Sequence, residues 1–177
     1  MRFTETALPG AYLIELELLT DVRGHFARAW CQDEFKLHGL ESAFVQCNIS
    51  YNEKKGTLRG LHYQTTPYEE VKIVRCTKGA IYDVIVDLRP GSPTYRQSLS
   101  FELSDTNYKM LYIPKGFAHG FQTLSDHTEV FYQMSQVHKA EYARGIRWDD
   151  PVFNIEWPKV EKRIMSEKDQ NYNEYRP

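Results

Sequence analysis

Along the 177-residue chain, apolar residues alternate with polar ones or gather in short continuous runs. These runs cover Ala11 to Leu19, Phe44 to Ser50, Val71 to Cys76, Ala80 to Leu88, Ser98 to Leu103, Lys109 to Ile113, Gly120 to Leu124 and Thr128 to Ser135. A period of two over so few residues predicts strands. Turn formers stand between them, at Pro9-Gly10, Lys78-Gly79, Pro90-Gly91-Ser92-Pro93, Ser104-Asp105, Pro114-Lys115-Gly116 and Ser125-Asp126. Many short strands punctuated in this way predict an all-β sandwich or barrel.

In the run from Ala80 to Leu88, Asp83 and Asp87 interrupt Ile81 and Ile85, which predicts a more polar sheet face lining a wet cavity. Helical patterns are confined to Gln32 to His38, closed by Gly39, and to a tail segment starting near Ser166. The polar end, Gln170 to Pro177, is expected to be loosely held. No repeat or linker divides the chain, so residues 1–177 are expected to form a single domain.

Composition sharpens this picture. The 12 Tyr, 9 Phe and 3 Trp suit half-buried pleated surfaces. With 22 Lys plus Arg against 24 Asp plus Glu, the formal charge is −2, which offers no global attraction to nucleic acid or an anionic membrane. Any anion must be met by a local cluster. No stretch approaches the roughly 18 apolar residues of a membrane span. The start, Met1-Arg2-Phe3-Thr4-Glu5, has no apolar core after a basic residue, so a cytoplasmic location is expected. Cys31, Cys47 and Cys76 are odd in number and lack C-x-x-C spacing, which reads as three free thiols.

Four segments carry residues that a sandwich core does not need. In Gly56-Thr57-Leu58-Arg59-Gly60-Leu61-His62-Tyr63-Gln64, strict alternation places Arg59 and Leu61 on one face and Gly60 and His62 on the other, unless a bulge at Gly60 re-aims them. In Val71-Lys72-Ile73-Val74-Arg75, Lys72 either points into a cavity as a partner for an oxyanion or snorkels to the rim. Pro114-Lys115-Gly116-Phe117-Ala118-His119 resembles the second motif of the cupin superfamily, but His62 is followed by Tyr63 and Gln64, so the His-x-His pair of metal-binding cupins is missing. In Phe131-Tyr132-Gln133, the phenol is either a proton donor or a core residue with a hydrogen-bond partner.

Together these segments resemble the sugar-nucleotide 3,5-epimerases of the dTDP-rhamnose pathway, metal-free cupin-type jelly rolls. The resemblance runs from about Leu8 to Asp169. It includes Asp21-Val22-Arg23-Gly24, Phe44-Val45-Gln46-Cys47-Asn48, Leu58 to Gln64, Lys72 to Arg75, Asp83 to Asp87, Ile113 to Phe121, Gly145 to Pro151 and Ser166-Glu167-Lys168-Asp169.

The resemblance implies a cofactor-free isomerase that acts on a nucleotide-linked 4-keto-6-deoxyhexose. A C4 carbonyl acidifies the C3 and C5 hydrogens, because the carbanion is delocalised as an enolate. His62 then resembles the base, Asp169 its orienting carboxylate, Tyr132 the acid on the opposite face and Lys72 the enolate partner. Without the family, Ser166 to Asp169 reads as a helix-capping box. Arg23, Arg59 and His119 resemble the diphosphate contacts, and Gln46 and Asn48 polar contacts to nucleotide and sugar. Relatives are homodimers that exchange an N-terminal strand, which implies that Arg23 and Phe26 complete the partner's site.

The chain departs from the family pattern at Arg28, where an acidic residue is common, and at Cys47, where an Asp is common. Both bear on which base is recognised. Competing readings are a single-centre epimerase, a metal-dependent cupin enzyme and a non-catalytic sugar-nucleotide binding module.

Overall fold

Strands β1 (Arg2–Glu5), β2 (Tyr12–Glu15), β5 (Gln46–Asn52), β7 (Lys72–Lys78), β10 (Lys109–Ile113) and β12 (Thr128–Met134) form one antiparallel sheet in the order β1-β2-β10-β7-β12-β5. A second sheet holds β6 (Leu58–Gln64), β8 (Ala80–Asp87), β9 (Ser98–Ser104), β11 (Phe117–Thr123) and β13 (Ala143–Gly145) in the order β13-β6-β11-β8-β9. A separate hairpin pairs β3 (Leu19–Asp21) with β4 (Gly24–Phe26). This computed structural model describes residues 1–176, and its two facing sheets form the expected cupin-type jelly roll.

The main core lies between the sheets, where Val74, Cys76, Leu111, Ile113 and Val130 meet Ile81, Ile85, Leu103, Phe117 and Phe121. Helix α1 (Gln32–Leu37) drives Phe35 onto the outer face of the six-stranded sheet against Ile14, Ile73, Met110 and Tyr112. The outer face of the other sheet is covered by Ile146, Phe153, Ile155 and Trp157. Strand β8 is therefore buried on both sides, and this corrects the expectation of a wet polar face. Asp83 and Asp87 are both fully buried. Asp87 instead clamps the following turn, accepting from Arg89, Ser92 and Thr94 at 2.6–2.9 Å.

The tail also differs from expectation. After α2 (Glu167–Gln170), the Tyr172 ring packs flush on Gly145, and the Tyr175 amide donates to Asp150 at 2.6 Å while its phenol meets that of Tyr95 at 2.9 Å. Aromatic anchoring holds residues 170–176 despite their polar composition, and Pro177 lies outside the described residues. Strands β1, β4 and β13, and β3 beyond Leu19, lie outside the predicted runs because they are short and hold no buried residue to mark an apolar face. No helix among the described residues is long and apolar enough to cross a membrane.

Candidate active site

The geometry of the site starts with a bulge. On β6 and β11, His62 pairs with His119 and Arg59 with Phe121, so four residues on β6 oppose three on β11. The extra residue rotates the strand, and Arg59 and His62 now border one cleft instead of opposite faces. The bulge condition attached to the sequence reading is met.

The cleft has two lobes. An outer lobe of about 590 Å³ is bordered by Ile49, Tyr51, Arg59, His119 and Phe121. An inner lobe of about 340 Å³ is bordered by Gln46, Asn48, Gln64, Glu70 and Met134. His62, Lys72, Tyr132 and Lys168 border both. A larger groove of about 900 Å³ runs beside Tyr63, Arg144 and the tail, but neither His–carboxylate pair borders it, so the chemistry belongs to the two-lobed cleft.

His62 projects from the five-stranded sheet, and Lys72 and Tyr132 from the six-stranded sheet facing it. The His62 side chain is 43% exposed and its Nε2 lies 2.7 Å from Asp169 Oδ1, whereas the Asp169 side chain is 7% exposed. Burial pushes the Asp169 carboxyl up, but hydrogen bonds from His62 and the Gly60 amide outweigh it and hold the group below its ordinary range. Ser166 Oγ accepts from the Asp169 amide at 3.1 Å and caps α2. The cap and the carboxylate contact thus use different atoms of Asp169 and coexist.

Burial pushes the Tyr132 phenol up, with Arg59 pulling it partly back, so the phenol keeps its proton at neutral pH. Lys72 Nζ does not snorkel to the rim. Its side chain is 11% exposed and pairs with Glu70 Oε1 at 2.9 Å. At the cleft floor, both carboxylate oxygens of fully buried Asp83 lie 3.0 Å from His119 Nε2. Burial pushes Asp83 up while His119 opposes that rise. His119 is therefore held by a carboxylate inside the protein as well as bordering the cleft.

Arg59 is exposed at the mouth, its Nε donating to Asn52 at 2.8 Å. Gln46 Nε2 donates to Asn48 Oδ1 at 3.2 Å. Arg23 and Phe26 stand apart from the cleft of their own chain. They sit on the β3–β4 hairpin, 85% exposed at the Arg23 side chain, where Arg23 pairs with Asp21, and 69% exposed at Phe26. Arg28 pairs with Glu34 of α1 at 2.9 Å, and Cys47 faces outward on β5.

Sequence reasoning assigned no site role to Glu70, Asp83, Lys168 or Tyr172. Lys168 precedes Asp169 and enters the cleft with it, and the Tyr172 ring centroid lies 6.1 Å from that of His62. A usable signal existed for Asp83, an acid amid β-branched residues on a buried strand.

Comparison with known proteins supports the same reading. A family profile described as dTDP-4-dehydrorhamnose 3,5-epimerase matches residues 5–176. The dTDP-4-dehydrorhamnose 3,5-epimerase of Methanothermobacter thermautotrophicus is 45% identical over 99% of this chain and 95% of its own. A crystal structure of the Bacillus anthracis dTDP-4-dehydrorhamnose 3,5-epimerase with TDP and PPi bound is 41% identical with a TM-score of 0.95, covering 98% of this chain and 99% of that one. The Legionella pneumophila epimerase in complex with dTDP-4-keto-L-rhamnose is 37% identical with a TM-score of 0.90, covering 95% and 89%. With this cleft, this topology and identity of that order over nearly the whole length, the chain belongs to the dTDP-4-dehydrorhamnose 3,5-epimerase family.

Proposed function

We propose that the chain converts dTDP-4-dehydro-6-deoxy-D-glucose to dTDP-4-dehydro-L-rhamnose, inverting C3 and C5 by proton removal and return. The observation that carries this is the opposition of His62, held by Asp169, to Tyr132 across one cleft.

Removing a hydrogen next to the C4 carbonyl leaves an enolate whose charge rests on oxygen. His62 takes the proton through the imidazole nitrogen that is not bonded to Asp169, and Asp169 stabilises the imidazolium that results. Lys72, its side chain 11% exposed, faces the developing oxyanion, and an ammonium fixed out of bulk solvent acts more strongly than one in solution. Tyr132 then delivers its proton from the opposite sheet, which inverts the centre. Its raised affinity for the proton suits an acid that stays loaded until the carbanion forms.

Arg59 and His119 are the groups for the diphosphate and the adjoining sugar, and Gln46 and Asn48 supply neutral polar contacts. Arg23 and Phe26 are suited to completing the cleft of a second copy, since their hairpin leaves the sandwich and exposes Leu19, Val22 and Phe26. A homodimer follows from this role. Free Cys31, Cys47 and Cys76 suit a reducing compartment such as the cytoplasm.

Incubation with the substrate in deuterated water tests the proposal. Deuterium at both C3 and C5 with inversion of both is expected. One labelled and inverted centre would make the chain a single-centre epimerase, and no exchange would leave a binding module.

A further inference from the structure

Glu70 is a buried carboxylate with half its capacity unused. Its side chain is 5% exposed, and Oε1 engages Lys72 Nζ at 2.9 Å. Oε2 is buried and finds no hydrogen-bond partner among the described residues. Folded proteins leave few such atoms, because a buried charged acceptor without a donor loses its hydration for nothing. Glu70 borders the inner lobe beside Gln46, Asn48, His62 and Tyr132, so a ligand filling that lobe lies beside this side chain.

Cations border both lobes, Arg59 the outer one, Arg144 the inner one and Lys72 and Lys168 both, so the difference lies in where each carboxylate stands. Arg59 and His119 border the outer lobe but not the inner one, and Glu70 borders the inner lobe but not the outer one. The Glu70 carboxylate itself repels a phosphate placed against it. What suits Glu70 is a neutral donor, and a hexose presents hydroxyls beside its reacting carbons.

We propose that Glu70 is a positioning and specificity residue, whose Oε1 fixes Lys72 and whose Oε2 accepts a hydrogen bond from a hydroxyl of the hexose. The proposal rests on the binding of a nucleotide-linked hexose. It makes Glu70 the group that tells sugar from phosphate and so orients the substrate.

Calorimetric titration with two unreactive probes, dTDP and dTDP-glucose, tests this on the full chain. In Glu70→Ala, affinity for dTDP-glucose is expected to fall about 10-fold or more, while affinity for dTDP stays the same or tightens. Glu70→Gln, which keeps the volume and one acceptor oxygen, is expected to recover part of the sugar affinity, yet to lower kcat because Lys72 loses its anchor. If Glu70→Ala does not melt cooperatively, Glu70→Gln supplies the comparison through a smaller loss of the same selectivity. Equal losses for both probes, or no loss for either, overturn the proposal. Wild-type deuterium exchange with unchanged sugar affinity in Glu70→Ala leaves the epimerase reading standing and removes this one. Probe-selective loss in a chain that exchanges no deuterium does the reverse.

Discussion

Gly60 and Gly120 meet across β6 and β11 so closely that a Cβ on Gly60 would lie 2.7 Å from the Cα of Gly120. A Cβ on Gly120 would in turn lie 2.7 Å from the Arg59 carbonyl oxygen. Gly60 also has φ +114°, a conformation that side chains rarely adopt, whereas Gly120 has no such constraint. Gly120→Ala therefore isolates the steric contact. It is expected to cost about 1–3 kcal/mol by forcing the strands apart, and to lower kcat because the bulge aims His62. Urea denaturation and turnover measured together check this, and an unchanged value for both would show that the close approach is dispensable.

Asp169→Asn separates the two uses of that residue. The Ser166 cap takes the backbone amide and survives, so the loss of stability should be confined to the weakened contacts with His62 and the Gly60 amide, about 1–3 kcal/mol. The imidazolium of His62 loses its carboxylate, and kcat is expected to fall about 100-fold or more. A large loss of stability with modest loss of turnover would assign Asp169 to the fold.

Tyr132→Phe should uncouple exchange from inversion. His62 still removes a proton and returns a deuteron to the same face, whereas the opposite face has no donor. NMR in deuterated water is expected to show label entering at C3 or C5 with configuration retained. Inversion at the wild-type rate would exclude the phenol as the acid.

Lys72→Met leaves the buried Glu70 charge without its partner and is expected to destabilise the fold by about 3–5 kcal/mol. Combining it with Glu70→Gln removes both charges and should restore much of the stability without restoring turnover. Recovery of kcat in the double variant would contradict the enolate role of Lys72.

Asp87 is expected to govern part of the acid response. Its carboxyl stays at about 2 because hydrogen bonds from Arg89, Ser92 and Thr94 outweigh the upward push of burial. The folded value lies below the unfolded one of about 3.9, so the ionised group stabilises above about pH 4, and that contribution fades as pH falls toward 2. Asp87→Asn should cost about 1.5–3 kcal/mol at pH 7, and wild type and variant should converge near pH 2. Urea midpoints across that range decide it, and a gap that widens on acidification would reverse the assignment.

The strands that form the sandwich core were legible because burial imposes alternation, and Lys109 to Ile113 coincides with β10 at both ends. The β3–β4 hairpin was not, since residues exposed on every side carry no periodicity. In the site, His62, Lys72, Tyr132, Asp169, Arg59 and His119, far apart in the sequence, border one cleft. Period-two reasoning alone separated Arg59 from His62, because one added residue in β6 changes the face of everything beyond it. Glu70 carries no signal of its own, since nothing in the sequence distinguishes it from the adjacent acid Glu69. Only tertiary packing shows that Glu70 is enclosed.

The placement of Asp169 on α2, after every strand of both sheets, sets the order of events during synthesis. A ribosome-bound chain exposing residues up to β13 holds all the sheet-forming segments, while His62 still lacks its carboxylate. Competence for catalysis thus trails the synthesis of every strand, since the same late segment that covers the five-stranded sheet with Ile146, Phe153, Ile155 and Trp157 also delivers the partner of His62.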